Sequence, residues 1–86
     1  MPSAEVEVHL PLKRITADGY AKDDFLLNQL EKVNDTPEED GMPLRAWVIK
    51  STHDALEKNP KLREVHLKPK AVKPCHTQFI VIIDEE

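Results

Sequence analysis

His9 and His66 occupy the same tetrapeptide, Glu-Val-His-Leu, which stands at residues 7–10 and again at residues 64–67. If both copies are strands, valine and leucine face one way, and glutamate and histidine the other. Neighbouring strands in register would then bring the two imidazoles within cross-strand reach, roughly 5 Å between Cβ atoms. His76 shares the outward parity if Phe79 points inward, so His9, His66 and His76 form a candidate site for zinc or copper. The chain lacks C-x-x-C and H-x-x-x-H spacing. Strand alternation alone explains the repeat, so it reads as packing first and metal second, and no cofactor is expected.

Cys75-His76 invites a thiol nucleophile with His76 or His53 as its base. Adjacent residues in a strand point to opposite faces, which leaves the lone cysteine as a small buried apolar residue. Asp23-Asp24 and Glu38-Glu39 are paired carboxylates, but nothing around them suggests burial or a raised pKa. Walker, G-x-G-x-x-G, G-x-S-x-G and H-E-x-x-H patterns are all missing from the sequence, and the expectation is a protein without enzymatic activity.

Charge is unevenly spread. Residues 1–57 hold twelve acids and six bases, net −6, whereas residues 58–76 hold six bases and one acid, net +5. Lys68, Lys70 and Lys73 fall in this basic strip and could grip phosphate or an acidic protein surface. An acidic body without interleaved aromatics is a poor footprint for nucleic acid, so direct nucleic-acid binding is not expected. One cysteine excludes an internal disulfide, and no stretch has the length of a membrane helix or the pattern of a signal peptide; the expected location is cytoplasmic.

Several elements must position these groups. Val6, Val8, Leu10 and Leu12 alternate with Glu5, Glu7, His9 and Pro11, a strand with one buried face that Pro11 confines to an edge or an end. Residues 21–35 carry Asp23 and Asp24 in a first helical turn and a Leu26, Leu27, Leu30, Val33 stripe, which predicts a helix. "NDTPEEDGMP" is a loop by composition, with Asp35, Glu38, Glu39 and Asp40 as a solvated cluster. Two readings fit "LRAWVIKSTHDALEKNP". One is a single helix whose apolar positions share a face only imperfectly. The other, favoured by the β-prone Trp47-Val48-Ile49, is a strand followed by a short helix capped at Ser51 and ending before Asn59-Pro60.

"LREVHLK" is a second alternating strand, and "PKAVKP" an extended connector. "TQFIVIID" is apolar on both sides: Phe79, Val81 and Ile83 on one, Ile80 and Ile82 on the other. A strand with one wet face should alternate, so both faces of this one need covering, the second by a helix, another copy or a target protein. A helix ending "ALEKNP", a connector and a final "FIVIIDEE" strand resemble the C-terminal half of small bacterial toxin ribonucleases of the RelE and ParE class. The resemblance spans about a third of the chain, and the acidic body and the few arginines of this half, Arg45 and Arg63, depart from the basic, RNA-facing pattern of those enzymes.

These readings predict a single α+β domain over residues 1–86: a small three- to four-stranded, mostly antiparallel sheet with one or two packed helices. The function expected is protein interaction, as an adaptor, inhibitor or regulatory subunit encoded by a phage or mobile element. Ile80 and Ile82 form its contact face, Trp47 an aromatic anchor, and Lys68, Lys70 and Lys73 a basic flank. A basic nucleic-acid-binding protein would complement the acidic body, and a homodimer is the other expected assembly. A metal-binding module and a small RNA-binding or ribonuclease domain are the alternatives from other classes.

Overall fold

The computed structural model describes residues 5–16, 38–72 and 76–85. Among these, strand β1 (Glu5–Pro11) leads directly into a short helix α1 (Leu12–Thr16). Two-residue strands β2 (Glu38–Glu39) and β3 (Met42–Pro43) form a hairpin that opens into helix α2 (Leu44–Lys58). Strands β4 (Glu64–Leu67) and β5 (Gln78–Asp84) complete the described elements. The helix expected over residues 21–35 lies outside the described residues, as do Lys73 and Cys75.

The main sheet has the order β1-β5-β4. β5 is central, with both of its edges paired. β4 runs antiparallel to it, but β1 runs parallel. The protein is therefore α+β as read, with a mixed sheet where a mostly antiparallel one was expected. A parallel pair needs a long crossover, and β1 and β5 have most of the chain between them. Pro11 stands at the last position of an edge strand, where its missing N–H costs no ladder bond to a second neighbour.

One face of the sheet is packed. Val8, Leu10, Val65, Phe79, Val81 and Ile83 join Ile15 of α1, Val72, and Leu44, Val48, Ile49 and Leu56 of α2 in one buried cluster. Leu12, read as a strand residue, sits instead in α1 and packs at the edge of this cluster.

Residues 44–58 form one uninterrupted helix, which corrects the strand-plus-helix reading. Leu44, Val48, Thr52 and Leu56 lie four residues apart on its buried side. Thr52 made this stripe look broken in the sequence. It is fully buried, yet its hydroxyl donates to the Val48 carbonyl at 2.8 Å, so no polar group is stranded. Burial of this whole stripe against the sheet overrides the β preference of Trp47-Val48-Ile49. Ser51, read as a cap, lies in mid-helix. The end falls where the sequence placed it: Asn59 takes an extended conformation, its side chain accepts from the Lys61 N–H, and Pro60 follows.

The acidic loop is also ordered differently from its reading. Asp40 (φ 53°) and Gly41 (φ 79°) are both left-handed and turn the β2–β3 hairpin, the Asp-Gly form of a tight turn. Asp40 accepts the indole N–H of Trp47 at 3.2 Å. Glu39, expected in solvent, is only 8% exposed. Its Oε1 accepts the backbone N–H groups of Lys70 and Ala71 at 2.9 and 2.8 Å, tying the proline-rich connector to the hairpin.

Candidate protein-interaction face

On the side of the sheet away from α2, strand register sets out a small grid. Glu7, Ile80 and His66 form one row across β1, β5 and β4, and His9, Ile82 and Glu64 form the next. Val8, Val81 and Val65 lie between these rows and point into the core. The two Glu-Val-His-Leu copies are thus the two neighbours of one central strand. They run in opposite directions, so a local two-fold axis through Val81, normal to the sheet, exchanges them. The same axis exchanges Ile80 with Ile82 and Gln78 with Asp84.

Hydrogen bonding follows this local symmetry. His9 Nε2 lies 2.9 Å from Glu7 Oε1, and its Nδ1 lies 3.6 Å from Asp84 Oδ1. His66 Nε2 lies 2.5 Å from Glu64 Oε1, and its Nδ1 accepts from the Gln78 amide at 2.7 Å. Each imidazole is therefore held between the glutamate two residues before it and the end of β5. The difference is that His9 has a carboxylate on both sides, whereas His66 has a carboxylate and an amide. Both rings are half exposed, at 50%, and Ile80 and Ile82 are half-buried between them.

The bond to Glu7 holds the His9 pKa above its ordinary 6.5; desolvation opposes it, and Asp84 adds to the rise. Because the folded value is raised, the stability this group contributes is fully present below pH 6.5 and is lost as pH rises through the folded value. The His9 ring resonances should titrate with a midpoint above 6.5, and Glu7→Gln should bring it down. A midpoint at or below 6.5 in the native chain would contradict this arrangement.

The other site residues read from the sequence are dispersed. β5 separates β1 from β4, so His9 and His66 are not cross-strand neighbours, and the premise of the strand-histidine metal site does not hold. His76 is half-buried just before β5. Trp47 is half-buried on α2, packed against the core with its indole N–H satisfied by Asp40, on the opposite side of the sheet from Ile80 and Ile82. Lys68 and Lys70 are exposed on the connector. Glu7, Glu64, Gln78 and Asp84 were not singled out from the sequence. Their signal was the repeat itself, once its copies are set antiparallel around "FIVII".

A cleft of about 290 Å³ opens elsewhere, lined by Leu12, Thr16, His53, Leu56, Glu57 and Pro60. Two of its lining residues, His53 and Glu57, lie with Asp54 within 4.8 Å of one another, the ligand-bearing group found among the described residues. Their geometry is that of local helix pairs: His53 Nδ1 lies 3.3 Å from Glu57 Oε1, and Asp54 accepts from Lys50 at 3.0 Å, which lowers the Asp54 pKa. The Thr16 hydroxyl, also at this cleft, donates to the carbonyls of Leu12 and Lys13. Among the described residues no helix is long and apolar enough to cross a membrane.

No curated protein matches this sequence. The NMR structure of a hypothetical protein from Trypanosoma cruzi is 71% identical, covers 100% of this chain and 94% of its own, and superposes with a TM-score of 0.72. A family model described as hypothetical protein-like matches residues 6–85, and the chain belongs to that family.

Proposed function

We propose that this protein is a non-enzymatic interaction module that engages another protein through the outer face of its sheet. One observation carries the reading: Ile80 and Ile82 are half-buried at the centre of a face whose flanks are exposed Glu7, His9, Glu64 and His66. The opposite face is filled by the helices, so these two isoleucines are not used by the described core. An apolar centre with a polar, charged rim is the anatomy of a recognition patch. The partner it suits has an apolar centre and basic groups around it, to meet Glu7, Glu64 and Asp84. Adaptors, inhibitors and regulatory subunits act in this way, and a basic nucleic-acid-binding protein has such a surface.

The test is the double variant Ile80→Ser/Ile82→Ser. Each substitution removes a half-buried side chain and should cost about 1–2 kcal/mol, leaving circular dichroism unchanged. Assemblies seen by native mass spectrometry should vanish. A double variant that unfolds outright would place both residues in the core and overturn the reading.

A further inference from the structure

We propose that the outer sheet face pairs with a second copy of this chain, face to face, about a two-fold axis that crosses β5 at the level of Val81. This inference rests on the reading of that face as an interaction surface and names its occupant. The argument is charge complementarity. Two stacked sheets lie about 10 Å apart with their facing side chains in contact, and a two-fold axis makes each contact occur twice. With the axis running across the strands, Ile80 of one copy lies over Ile82 of the other. Glu7 then lies over His9, Glu64 over His66, and Gln78 over Asp84, by the register of the sheet. Glu7, Glu64 and Asp84 each meet an imidazole or an amide, Glu5 lies over Pro11, and no two carboxylates oppose each other.

The alternative axis, along β5, is poorer. It also sets each glutamate against a histidine, but it places Asp84 over Asp84 of the other copy. Like charges directly opposed are unfavourable, so the axis across the strands is the one selected. This self-complementarity has a simple source in the sequence. A strand that alternates Glu and His outward is complementary to its own reverse, and the chain carries that strand twice, in opposite directions, around β5.

Size and charge set the strength. Three strands about 4.8 Å apart, two of seven residues and one of four, offer roughly 300 Å² per copy, well under the ~800 Å² of a standard interface. Each copy also carries a net charge of −4. The pair is therefore weak and shows itself at concentrations of hundreds of micromolar. Protons on the imidazoles strengthen it. His9 is faced by Glu7 on its own strand, Asp84 on β5 and, in its row, Glu64 on β4. His66 is faced by Glu64 on its own strand, Gln78 on β5 and, in its row, Glu7 on β1. Pairing adds one further carboxylate to each imidazole, so proton uptake and pairing favour each other.

Sedimentation equilibrium of the full chain up to about 1 mM, at pH 8 and pH 6, tests this. The expected result is a monomer–dimer equilibrium about tenfold tighter at pH 6. His9→Gln/His66→Gln should flatten the pH dependence, and Ile80→Ser/Ile82→Ser should abolish the dimer while remaining folded. Wild-type protein that stays monomeric at both pH values overturns the inference. So does association that survives the isoleucine substitutions, which would be non-specific attraction near the sequence pI of about 5.5. If the wild type is monomeric but the isoleucine variant folds, only the second copy is excluded and the face remains open to a different protein. If that variant unfolds, the interaction face itself is excluded.

Discussion

Truncating Phe79 to alanine should lower the free energy of unfolding by about 3–5 kcal/mol, a large share of the roughly 5–15 kcal/mol that holds a domain together. Phe79 is fully buried on the central strand, paired in register with Val6 on one side and Leu67 on the other. Among the described residues it is the largest fully buried side chain, and rigid strands on both flanks limit how far the cavity can collapse. The neighbouring substitution Ile80→Ala is the internal control. Ile80 points to the other face and is only half-buried, so it should cost about 1–2 kcal/mol. Urea unfolding, read as midpoint shifts at unchanged slope, distinguishes the two. Equal costs would show that the packed face had been assigned to the wrong side of β5.

The second large effect is expected at Glu39. Removing its carboxylate with Glu39→Ala leaves the N–H groups of Lys70 and Ala71 without their acceptor in a part-buried setting. Hydrogen bonds to a charged acceptor contribute about 1.5–3 kcal/mol, and an abandoned buried donor costs about 1–3 kcal/mol. A loss of about 2–4 kcal/mol is therefore expected. Glu39→Gln keeps an oxygen at the Oε1 position and should lose about half as much. Amide hydrogen exchange gives the local signature: the Lys70 and Ala71 amides should lose protection before the β5 amides do. If Glu39→Ala is as stable as the native chain, the contact is incidental and the connector is held by its buried Pro69 and Val72 alone.

The two predictions differ in how far the sequence anticipates them. Phe79 follows from period-two alternation, because parity along a strand is a local property that needs no knowledge of neighbours. Glu39 does not. A glutamate in an acid-rich, glycine-containing stretch reads as solvated, and only the approach of a connector more than thirty residues away converts it into a buried acceptor. Asp40-Gly41 is a hairpin signal in its own right, although the acidic composition around it reads as loop.

The sequence by itself determined the strand content of both Glu-Val-His-Leu copies and their inward valines and leucines. It also determined the end of α2 at Asn59-Pro60 and the apolar character of β5 on both sides. Each is written within a few residues, in alternation, in turn chemistry or in composition, and none depends on distant contacts. Tertiary structure alone decided that residues 44–58 are one helix, since only burial of the stripe through Thr52 outweighs the local β preference of Trp47-Val48-Ile49. It alone decided that β1 joins the sheet parallel and that β5 lies between the two copies. Which strands become neighbours depends on how the intervening chain packs, and that is a property of the assembled core. For the same reason the histidines do not pair with each other. Each pairs with the glutamate of its own copy, and together they form the self-complementary rim around Ile80 and Ile82.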